Sequence, residues 1–220
     1  MTPEIAARVL WVVDQGLVSG LGVQHPGQFC VEAAVCYALG LPHGDDPGCV
    51  SPAVRKLKIR LNDSQWSSPA ARAAGMRKLA ILQLGTDHDF DDVKFATAVA
   101  IMTIRKILPI SLRAAGMEDH AIACETAVTL EECRAAVAAA YAAAYAAAYA
   151  AAPAAYAVAA AAAAAAVAYA AYAAAVAAYA AYAAAVAADA ADEVLQLFAE
   201  EVCSILIEMG VPGVAWLGLL

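Results

Sequence analysis

From Ala135 to Ala188 the chain carries no charged side chain: these 54 residues are 40 Ala, eight Tyr, five Val and Pro153. Alanine is the strongest helix former. A helix apolar on every side has to be covered, by a core, by another chain or by lipid. The stretch therefore predicts long helices that need partners, and it favours an all-α architecture. Within it, Tyr169, Tyr172, Val176, Tyr179, Tyr182 and Val186 follow a ten-residue unit. On a helix these side chains stay within an arc of about 140°. Bare alanine covers the rest and lets helix axes approach to roughly 8 Å, while tyrosine adds contact area and a hydroxyl that needs a partner.

Pro153 is the one helix breaker in the stretch. A turn there would pair a helix of about 23 residues (roughly 35 Å) with one of about 56 (roughly 84 Å). The longer helix then needs cover from the N-terminal helices or from a second copy. The uncharged runs of 18 and 35 residues on either side of Pro153 are long enough to reach across a bilayer. Alanine, however, gives little insertion energy beside Leu, Ile, Phe and Val. No Lys or Arg follows Arg134, and the tyrosines are not confined to two belts. Self-association is the expected partner mode, not membrane insertion.

The formal charge of −8 is unevenly spread: all 13 basic residues lie at or before Arg134, and the last 86 residues carry six acids and no base. The overall acidity argues against general nucleic-acid binding, which favours strongly basic domains. No basic segment precedes an apolar core at the start of the chain, so no secretory signal is expected. The six cysteines, irregularly spaced, then read as reduced, buried thiols of a cytoplasmic protein.

Helix signals recur through the first 130 residues. Thr2-Pro3, Ser51-Pro52 and Ser68-Pro69 each pair a capping hydroxyl with proline at the first helical position. The first predicts a helix running to near Gly20. A second is expected from about Gly27 to Leu39, with Gly40 as its left-handed stop. Residues 54–61 fit a helix through Val54, Leu57 and Leu61, with a strand as the alternative. An apolar helix is expected from Val93 to about Ile107, stopped or kinked by Pro109. Thr129 and Glu132 form a capping box that opens the helix entering the Ala tract. After Asp189 the pattern turns amphipathic, with Val194, Leu195, Phe198, Val202, Ile205, Leu206 and Met209 on the inner face.

Two groups of residues suggest chemistry. Cys30 falls near a helix start, where the dipole lowers a thiol pKa. Gln28 could supply an oxyanion donor, His25 or His43 a base, and Asp45 or Asp46 an orienting carboxylate. A papain-type signature around the cysteine is absent. The second group is basic: Arg55, Lys56, Lys58, Arg60, Arg72, Arg77 and Lys78 lie on two adjacent segments. Several of them converging could hold a phosphorylated, nucleotide-like ligand beside the helix N-termini at Ser51 and Ser68. Trp66 reads as a loop anchor or a stacking surface beside them. A zinc set of Cys30, Cys36, His43 and Cys49 has no C-x-x-C pair. The acidic run Asp87–Asp92 resembles an EF-hand loop, but Ala98 stands where the last Glu is required. Neither a metal nor a cofactor is expected.

The stretches Cys30–Cys36, Leu41–Pro47, Leu61-Asn62-Asp63, Trp66-Ser67-Ser68 and Val211–Leu217 resemble a group of uncharacterised bacterial and phage-encoded proteins with Ala-rich C-terminal tails. The resemblance covers most of the chain and implies no activity for any residue. Taken together, the sequence predicts an N-terminal helical domain over residues 1–128 and an Ala/Tyr-rich helical tail over 129–220. The expected function is a non-enzymatic, oligomeric binding or scaffold protein, with Arg55, Lys56, Arg60, Arg72 and Arg77 around an anionic small molecule. The alternative is a cysteine hydrolase using Cys30 with His25 or His43 and Asp45.

Overall fold

The computed structural model describes residues 1–148 and 191–220. These are all-α: α1 Pro3–Val13, α2 Val31–Leu39, α3 Pro52–Asn62, α4 Pro69–Leu82, α5 Asp92–Met102, α6 Leu108–Ala114, α7 Glu118–Thr126, α8 Leu130–Ala148 and α9 Ala191–Glu208. A π-helical turn, Thr103–Ile107, joins α5 to α6, and a 3-10 helix, Pro212–Leu219, ends the chain. The described residues contain no strand beyond two isolated bridges, Leu17 to Phe29 and Gly22 to Phe29. The repeat Tyr169–Val186 and Pro153 lie outside the described residues.

The capping signals act as local chemistry dictates. Thr2, Ser51 and Ser68 accept from the backbone N–H three residues on, which satisfies one of the donors every helix start leaves open. Thr129 Oγ1 accepts from Glu132 N at 3.1 Å while Glu132 Oε2 accepts from Thr129 N at 2.8 Å. Both halves of the capping box are made. Residues 52–62 are helical rather than extended. Gly40, at φ 73°, ends α2 as the left-handed stop.

Three boundaries differ from expectation. The first helix stops at Val13, because Gly16 turns the chain at φ 106°. The segment after it folds back along Phe29, with Val18 N donating to Phe29 O at 3.0 Å. At Gly22 a Cβ would collide with the Gln28 carbonyl. The second helix starts at Val31, not Gly27, because residues 23–28 are hydrogen-bonded as a turn, Val23 N to Gln28 O at 2.9 Å. Pro109 neither stops nor breaks the third: its missing N–H is absorbed where α6 begins, directly after the π-helical turn, a common adjustment around proline and other helix irregularities. By length and composition, Asp92–Ala114 could cross a membrane, yet 56% of its apolar window is buried within the protein.

The chain divides into two compact units, Met1–Phe95 with Leu195–Leu220, and Ala96–Val194. The face of α9 formed by Leu195, Phe198, Val202 and Leu206 is buried, and Lys78 on α4 reaches Glu200 on α9 at 2.8 Å. In the first unit α1 packs on α2 and α4, and α2 on α3. In the second, Ile104, Leu108, Leu112, Cys124, Cys133 and Val137 form the core.

Trp66 is a loop anchor. It is buried, and its Nε1 donates to Leu61 O at 2.9 Å. Its ring lies on Gly75 in the middle of α4, where a Cβ would overlap the indole. Glycine inside a helix ordinarily costs about 1 kcal/mol relative to alanine; here the contact reverses the preference. Gly75→Ala should destabilise the protein by about 1–3 kcal/mol through overpacking, measured as a lower urea midpoint with altered Trp fluorescence.

Candidate functional site

Helix α2 is almost entirely apolar, and Glu32 sits in its first turn. On α3, Val54, Leu57 and Leu61 form the buried stripe, and Lys58 occupies a position on that stripe. Packing α2 on α3 brings the two charges together: Lys58 Nζ lies 3.1 Å from Glu32 Oε1, and both side chains are 0% exposed. Burial pushes the Glu32 carboxyl above the usual carboxylate range, against the pull of Lys58, Arg55 and Gln83. Burial likewise pulls the Lys58 ammonium down, opposed first by Glu32. Taking an ion out of water costs several kcal/mol, which a partner offsets only with good geometry and further hydrogen bonds. Here the two groups rely on each other and on the nearby Gln83 side chain, which also favours the ionised carboxylate. The Gln83 amide, close enough to favour ionised Glu32, donates to Ala80 O at 3.3 Å.

Glu32 also borders a cavity of about 60 Å³ shared with Leu21, Cys30, Asp45, Asn62 and Asp63. The end of α3 organises this space. Asn62 accepts from Val31 N at 3.2 Å and donates to Val18 O at 2.9 Å and to Asp63 Oδ1 at 3.0 Å. Asp63 Oδ1 in turn accepts from Gly20 N at 2.7 Å. Arg72, only 8% exposed, fixes the same corner from α4, donating to Asn62 O at 2.8 Å and Leu17 O at 3.0 Å.

The basic residues are for the most part engaged within the protein. Arg55 reaches Asp45 at 3.2 Å and Asp46 at 2.9 Å. Arg72 is buried as a backbone clamp, and Arg77 pairs with Asp14 at 2.7 Å. Lys56 and Arg60 are exposed on α3. Of the expected anionic-ligand residues Arg55, Lys56, Arg60, Arg72 and Arg77, three meet carboxylates or carbonyls of the chain itself.

The cysteine constellation is not assembled either. Cys30 is the N-cap of α2, its Sγ accepting from Ala33 N at 3.3 Å. That bond lowers the thiol pKa, but burial outweighs it and the net direction is up, contrary to the dipole expectation. His25 Nδ1 lies 2.7 Å from Pro26 O, and His43 Nε2 lies 3.2 Å from Gly22 O with its ring against Phe29. Among the described residues no hydrogen bond joins either histidine to Cys30. Asp45 reaches the cavity but engages Arg55. All six cysteines are free and buried. Burial pushes Cys203 up to about 12 and Cys36 and Cys124 up to about 11. No three His, Cys, Asp or Glu side chains converge as a metal site among the described residues. Asp91 and Asp92 instead serve helix α5 and its neighbour: Asp91 accepts from Lys94 N at 2.9 Å and Asp92 from Ser51 Oγ at 2.6 Å.

No protein family, curated protein or solved structure matches the chain. The geometry therefore stands alone. Glu32 and Asn62 were not among the residues expected at a site; their signal was an acid inside an apolar helix and an amide at a helix end. Lys58→Met and Glu32→Leu should each cost about 3–5 kcal/mol, because each strands a buried charge. The double variant should cost clearly less than the sum, a coupling that urea melts of all four proteins measure.

Proposed function

We propose that the protein is a non-enzymatic scaffold of the cytoplasm that assembles with copies of itself through its Ala/Tyr-rich segment. What supports this is the outer face of α8. Its inner face, Cys133, Val137 and Ala140, is buried in the core of its unit. Ala135, Ala138, Ala139 and Ala142 are exposed and share the opposite face. From Ala135 to Ala142 that face offers water methyl groups, and the sequence continues without a charge to Ala188. Contiguous apolar surface on this scale marks an interaction surface. Alanine suits contact with a like helix, because axes approach closely where side chains are small.

Both flanks of the segment are anchored. α8 enters it from one core, and α9 leaves it with a buried apolar face. The six free thiols fit a reducing compartment. The hydrolase alternative has no observation in its favour, since Cys30 caps a helix and its thiol pKa is raised.

Sedimentation velocity or light scattering is the direct check, with a stable homo-oligomer expected at micromolar concentration. Tyr172→Glu with Tyr179→Glu should dissociate it, because two carboxylates would have to be buried in the contact. A wild-type protein that remains monomeric overturns the proposal.

A further inference from the structure

We draw no further inference here: the strongest candidate, the mostly apolar cavity of about 540 Å³ between the loop at residues 85–90 and the segment at residues 209–216, with Phe90 and Trp216 on its wall, carries nothing, because nothing in the structure shows what covers it.

Discussion

A carboxylate and an ammonium 3.1 Å apart, both sealed from water, constrain the surrounding unit more than any apolar contact does. The pair is tolerable only while α2 and α3 keep their register, because displacing either helix strands a charge in the core. The surrounding groups hold that register. Asn62 ties the end of α3 to the start of α2, and Arg72 ties both to the loop after α1.

The same constraint explains the chemistry of the cysteines and arginines. Cys30 sits at a helix start beside Lys58, two features that lower a thiol pKa, yet burial dominates and the thiol becomes an acceptor for Ala33 N. Arg55 is drawn to Asp45 and Asp46 and Arg72 to backbone carbonyls. Groups that look reactive or ligand-binding in isolation are used to close loops.

How much could be seen in the sequence follows from range. Caps at Thr2, Ser51, Ser68 and Thr129 act over three residues, so their pattern is visible directly in the chain. The stop at Gly40 is equally local. The end of α1 was not, because Gly16 and the bridges to Phe29 depend on residues that become neighbours only in the fold. The site was least visible. Charged residues are almost always exposed, which places Arg72 and Lys58 on the surface by default. Lys58 did carry a signal, since it shares the helical face of Val54, Leu57 and Leu61, and Glu32 interrupts an apolar run. Their pairing required the packing of α2 on α3. The final helix was legible as amphipathic, but its union with the first unit depended on contacts such as Lys78 with Glu200.

The central claim is that Glu32 is buried and electrostatically tied to Lys58. Carbon-13 NMR of the Glu32 carboxyl across a pH titration tests it most directly. In the folded protein the carboxyl should titrate above the ordinary glutamate range, because burial is the largest influence on it. In Lys58→Met it should titrate higher still, since the first opposing influence is gone. An ordinary glutamate titration, unchanged by Lys58→Met, would contradict the account.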